Sequence, residues 1–280
     1  MKFQRMAGIV LTVAALASGP ACAAAAPQTV EIEMMTWPEL KAALAAGKTT
    51  ALFYTGGTEQ RGPQNVNGGH NLIGRQVVKH IAEKLGNAIA FPVLPFSPGN
   101  ADPEIPGDIG IPPAVLGQVL ESVAEQAIIT GFKNVVLMGD SGGGQGPTGV
   151  YAEVAKKLTA KYAAQGARVH YADHPYTAAR DAFSKLLTER GLPQGQHGGI
   201  QDTSEMMYLE GTNGNWVRKN ELPNAVGALI VNGKPQFNAD TPKNGITGDA
   251  RKSSVELGKL RHELKVDYGV KQIQGLIAAK

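Results

Sequence analysis

The chain has 280 residues, 42% of them hydrophobic and 18% charged, with a formal net charge of +3. That length supports one sizeable core, and a nearly balanced charge without a basic cluster argues against a nucleic-acid partner. The single cysteine, Cys22, leaves no disulfide framework to consider.

At the N-terminus, Lys2 and Arg5 precede an apolar run over 8–17 and small residues around Ala21-Cys22-Ala23. This is the pattern of a secretory signal peptide, here over 1–26, and it predicts a domain over 27–280 that is periplasmic or secreted. The apolar run is short for a bilayer, and no second run of about 20 apolar residues follows, so no membrane anchor is expected. A lipoprotein reading of Cys22 lacks the usual leucine three residues upstream, where Gly19 stands. Cleavage removes the only cysteine, so any metal would have to be held by His, Asp and Glu.

Beyond residue 28 the sequence alternates short β-branched or aromatic runs with longer segments of helical period, the pattern of a layered α/β domain with a mostly parallel sheet. Strands are predicted over 49–54, 88–94, 134–138 and 168–171. Helices are predicted over 72–85, 114–130, 149–164, 177–190 and 253–265. A Pro- and Gly-rich loop over 95–113 is long enough to suggest a functional role. No repeat or composition break divides the chain, so a single domain is expected. Parallel sheets bind ligands beyond the carboxyl ends of their strands, and three polar, glycine-rich segments fall there.

The first, Gly56 to Asn71, follows the first strand and contains Glu59 and His70, an oxygen and a nitrogen donor suited to zinc or manganese. It lacks the Gly-Lys-Ser/Thr ending of a phosphate-binding loop. The second, Gly139-Asp140-Ser141-Gly142-Gly143-Gly144-Gln145, lies at a strand-to-helix turn. It matches Gly-x-Ser-x-Gly, with Ser141 as a nucleophile followed in order by Asp173 or Asp181 and then His197. The same glycines would equally serve to let backbone approach a ligand. A trypsin-like reading of Gly-Asp-Ser-Gly-Gly fails because no Ala-His-Cys segment is present. The third segment, Gln196 to Met207, offers His197 as a general base and Asp202 as a residue that caps or begins the helix carrying Met206, Met207 and Leu209.

Taken in order, these segments resemble the creatininase family of metal-dependent amidohydrolases, over residues 54–209. The family's Glu-Gln-His-Gly-Pro-His is matched by Glu59-Gln60-Arg61-Gly62-Pro63-Gln64, with His70 at a later aspartate position. Phe-Pro-Gly-Thr is matched by Ile105-Pro106-Gly107-Asp108, Asn-Gly-His-Gly-Gly-Asn by Gly139 to Gly144, and His-Ala-Gly-x-x-Glu-Thr-Ser by His197 to Ser204. The resemblance implies a three-layer α/β fold and hydrolysis of a non-peptide C–N bond in a small molecule, such as a cyclic amide. It also implies a divalent metal, Zn or Mn, and a homo-oligomer. The departures at Arg61, His70 and Ser141 reduce the usual two-ion ligand set, leaving one ion on Glu59 and His70 with Asp140 or Asp202. In that mechanism a metal-activated water attacks and His197 passes a proton to the departing nitrogen. Arg61 would then be free to bind a substrate carboxylate, with Gln60 and Asp108 beside it. Two alternatives remain: a metal-free serine hydrolase using Ser141 and His197, and an exported small-molecule binding protein on the same scaffold.

Overall fold

The computed structural model describes residues 29–212 and 214–279. The signal peptide expected over 1–26, with Cys22, lies outside the described residues. Four parallel strands form the central sheet: β1 (Thr50–Thr55), β2 (Ala88–Ala90), β3 (Asn134–Gly139) and β4 (Arg168–Tyr171), in the order β2-β1-β3-β4. The register pairs Leu52 with Val136 and Thr55 with Gly139, so the two central strands end side by side.

Helices cover both faces. On one side lie α1 (Trp37–Ala45), α3 (Pro113–Thr130) and α4 (Val150–Tyr162), packed on Ala51, Phe53, Val135 and Leu137. On the other, α2 (Gly69–Leu85), α6 (Ile200–Leu209) and α7 (Val255–Ala278) pack on Leu52, Tyr54, Val136 and Met138. Successive residues of each central strand thus serve opposite cores, which is why β1 and β3 read as continuous apolar runs without alternation. The remaining helix, α5 (Thr177–Glu189), joins α6 and α7 through a small cluster of Phe183, Leu187, Ile200 and Leu257. No helix among the described residues is long and apolar enough to cross a membrane.

The three-layer architecture agrees with the expected fold class, and all four predicted strands are present. The second is shorter than 88–94: it ends at Ala90, close to Pro92, which has no N–H for a sheet ladder. The last helix runs past 265 to Ala278. The hairpin β5 (Leu229–Val231) and β6 (Lys234–Gln236) has no counterpart in the sequence reading. Neither has α1, although Thr36 and Glu39 form a capping box at its start.

One close approach fixes the position of α7. A Cβ on Gly258 would overlap the Ser204 carbonyl of α6, whereas one on Gly275, in the same helix, would meet nothing within 4 Å. Gly258→Ala should therefore push the helices apart and cost about 1–3 kcal/mol. Gly275→Ala should instead stabilise by roughly 0.4–1 kcal/mol, because alanine is the better helix former. Urea denaturation of the two variants checks this; equal effects would contradict it.

Candidate active site

The site is assembled at the carboxyl ends of the two central strands. The loop after β1 supplies Glu59 and Arg61, and the start of α2 supplies His70. The turn after β3 gives Asp140 and Ser141, while the segment leading into α6 gives His197 and Asp202. From α7 come Arg261 and Lys265, four residues apart and so on one helix face. A cavity of about 390 Å³ lies among them, lined by Glu59, His70, Asp140, Ser141, His197 and Lys265, among others.

Two buried cations organise the cavity's floor. Arg61, with no exposed surface, places Nη1 3.1 Å from Glu59 Oε1 and Nη2 2.7 Å from Asp202 Oδ2. Gly69 makes room for it, since a Cβ there would come within 3.0 Å of the Arg61 side chain. The Lys265 ammonium donates to Asp140 Oδ1 at 2.6 Å and pairs with Glu205 Oε2 at 3.0 Å. Asp140 also accepts from the Tyr54 hydroxyl at 3.0 Å. Between these two pairs stands His70, its Nδ1 2.7 Å from Asp140 Oδ2 and its Nε2 2.8 Å from Glu59 Oε1.

The protonation states follow from these contacts. Burial pushes the Glu59 carboxyl up, but the His70 hydrogen bond and the charges of His70, Arg61 and His197 outweigh it and hold the group at about 2. Burial likewise opposes ionisation of Asp140, yet Lys265 and His70 keep it well below the usual carboxylate range. For His70, burial and the Arg61 charge favour the neutral ring, and the bonds to Asp140 and Glu59 overcome them and raise its pKa. With both ring nitrogens facing carboxylates, His70 is an imidazolium that donates twice. His197 differs: its Nε2 lies 2.6 Å from the Gln60 carbonyl, which can only accept, so that nitrogen carries the proton. Its Nδ1 is left facing Glu59 Oε1 at 3.4 Å.

Several expectations are corrected by this arrangement. Arg61 does not receive a substrate carboxylate, because it is fully buried and committed to Glu59 and Asp202. Gln60 and Asp108 shape the loop: Asp108 Oδ1 accepts from the Gln60 backbone N–H at 2.7 Å, and neither lines the cavity. The serine triad is not formed. Asp173 bonds to Thr177 and Gln272, Asp181 pairs with Arg180, and the carboxylate nearest His197 is Glu59. Ser141 lines the cavity but makes no hydrogen bond with His197, its Oγ accepting at 3.5 Å from the Gly143 N–H. Glu205, Arg261 and Lys265 were not anticipated. The signal for the two cations lay in α7, where Arg261 and Lys265 follow Leu257 at four-residue steps, placing charges on an otherwise apolar stripe; Glu205 lies in α6.

The family described as Creatininase: creatinine amidohydrolase matches residues 33–273. A crystal structure of creatinine amidohydrolase is 21% identical, covering 91% of this chain and 100% of that one at a TM-score of 0.70. A zinc–zinc form of a creatininase mutant is 22% identical, covering 90% and 100% at 0.70, and a manganese creatininase is 21% identical, covering 90% and 100% at 0.69. No curated protein sequence matches the chain.

The zinc and manganese of those structures are the divalent ions that the sequence resemblance implied. The donor set of this chain does not fit such an ion pair. The four side chains expected as ligands line one cavity, but Glu59 and Asp202 are bridged by a guanidinium, and Asp140 is held by an ammonium. A histidine ligand binds as a neutral imidazole with one nitrogen free for the ion, whereas here both nitrogens of His70 are taken by carboxylates. Among the described residues no group of three or more His, Cys, Asp or Glu is arranged to hold a metal ion.

Three outcomes follow. EDTA and added zinc should each leave the midpoint of thermal unfolding unchanged; a large, zinc-reversible fall with EDTA would contradict the reading. Arg61→Ala should cost about 3–5 kcal/mol by leaving buried carboxylates unpaired, as urea denaturation would show. Glu59 has an ordinary value of 4.5 and sits at about 2, so it contributes stability above pH 4.5 that fades as pH falls towards 2. The dependence of stability on pH over that window should be shallower in Glu59→Gln.

Proposed function

The chain belongs to the creatininase family of amidohydrolases, which act on C–N bonds other than peptide bonds, and from that we propose that its cavity hydrolyses an amide or cyclic amide of a small molecule through His197 and Glu59. The observation that carries this is the His197 geometry. His197 lines the cavity, with one ring nitrogen fixed by the Gln60 carbonyl and the other 3.4 Å from the ionised Glu59 carboxylate.

In this mechanism a water attacks the carbonyl carbon and gives its proton to His197 Nδ1. Glu59 stabilises the resulting imidazolium, as a buried carboxylate does in other acid–base pairs. Negative charge developing on the carbonyl oxygen faces His70 and Lys265, two cations held in place before the reaction begins and so costing little reorganisation. As the C–N bond breaks, the departing nitrogen takes the proton from His197 Nδ1. The products are a carboxylic acid and an amine, joined in one molecule if the substrate is cyclic. The signal-peptide pattern supports action outside the cytoplasm, on residues 27–280 as one domain.

A second reading has a specific observation behind it. Arg61 and Lys265 each pair with two of the four acidic groups from within, which also suits a binding protein that retains the fold without the reaction. Hydrolysis of a panel of lactams, cyclic ureas and N-acyl compounds, followed by mass spectrometry, separates the two. Turnover that falls about 10²- to 10⁴-fold in His197→Asn, with little loss in Ser141→Ala, is the expected result. Binding without turnover would favour the second reading.

A further inference from the structure

If the cavity is the hydrolytic site just described, one of its walls specifies the substrate. Arg261 lines the same cavity and is only 4% exposed. Its Nε and Nη1 are buried without a hydrogen-bond partner among the described residues. The four nearby carboxylates are already assigned, Glu59 and Asp202 to Arg61, and Asp140 and Glu205 to Lys265. No ion pair of Arg261 occurs among the described residues. Its guanidinium lies 5.8 Å from the centre of the Phe183 ring, an apolar support that holds it without satisfying its donors. A second guanidinium lines the cavity: that of Arg180, which lies 5.6 Å from the centre of the Tyr176 ring and is about half exposed.

A buried guanidinium with unused donors is costly unless a partner arrives with a ligand. A planar fork of N–H donors matches a carboxylate, whose two oxygens accept at once. We propose that the substrate carries a carboxylate, received by Arg261 with Arg180 as a second cation, so that its class is a carboxylated amide or lactam. This rests on the hydrolytic reading and narrows it. The carboxylate would sit on the α5–α7 wall, and the scissile C–N bond would face His197 and Glu59.

Matched pairs test the idea: 5-oxoproline against 2-pyrrolidinone, and N-acetylglycine against N-methylacetamide, with binding to the full-length protein read by calorimetry and thermal shift. The acidic member of at least one pair should bind about tenfold more tightly, or by about 1.4 kcal/mol. That preference should fall to within about twofold in Arg261→Gln and to an intermediate value in Arg261→Lys. Arg180→Gln, at an exposed position, should lose part of it while retaining the wild-type circular dichroism spectrum. If Arg261→Gln does not fold, the other two variants decide. Failure of both acidic compounds to stabilise the wild type, or an unchanged preference in the Arg261 and Arg180 variants, overturns the proposal. Binding is measured without turnover, so an Arg261-dependent preference with no hydrolysis would remove the hydrolase reading alone. Hydrolysis indifferent to the carboxylate would remove this inference alone.

Discussion

Four carboxylates, Glu59, Asp140, Asp202 and Glu205, are gathered at the end of a parallel sheet, and two buried cations make that possible. Such groups repel one another and lose hydration on burial, so they remain ionised only where positive charge is held within hydrogen-bonding reach. Arg61 bridges one pair and Lys265 the other, with His70 joining the two halves. The backbone is shaped to allow this. Gly69 lets the Arg61 side chain cross the start of α2, and Gly258 brings α7 against α6 so that Lys265 reaches Asp140.

The network extends away from the cavity as well. Glu205 accepts from His262 Nδ1 at 3.2 Å, and His262 Nε2 lies 2.7 Å from His80 Nδ1 near the surface of α2. A chain of polar contacts therefore runs from His80 through α6 and α7 to the groups around His197. Each member is oriented by its neighbours, which is the condition for electrostatic preorganisation. By contrast, the His197 ring is held by the Gln60 carbonyl and the more distant Glu59, and its backbone by two hydrogen bonds with Thr247. A proton carrier facing an open cavity needs that combination of a fixed tautomer and a free nitrogen.

Much of this was legible in the sequence, for reasons that differ by element. The strands β1 and β3 are buried on both faces and so announce themselves as unbroken apolar runs. The motifs around Glu59 and Ser141 could be placed at strand ends because glycines cluster there, whereas His197 stands between two helices, α5 and α6. The role of Arg61 was not legible. A cation beside a glutamate in a loop reads equally well as a substrate ligand, and only its complete burial against Asp202, more than a hundred residues away, decides otherwise. Lys265 and Arg261 were hidden for a similar reason. On a helix charge is ordinarily solvent-facing, and whether a given stripe meets the core depends on where the helix docks. The Ser141 triad failed on the same ground, since the order of Ser, Asp and His along the chain carries no information about which carboxylate reaches the imidazole.

In this structure Arg61 and Lys265, and not a divalent ion, hold the four carboxylates together. Anomalous diffraction at the zinc absorption edge, from crystals grown with excess zinc chloride, distinguishes the two. No anomalous peak is expected among Glu59, His70, Asp140 and Asp202, with the Arg61 guanidinium still bridging Glu59 and Asp202. A zinc ion bound there, with Arg61 displaced, would contradict it.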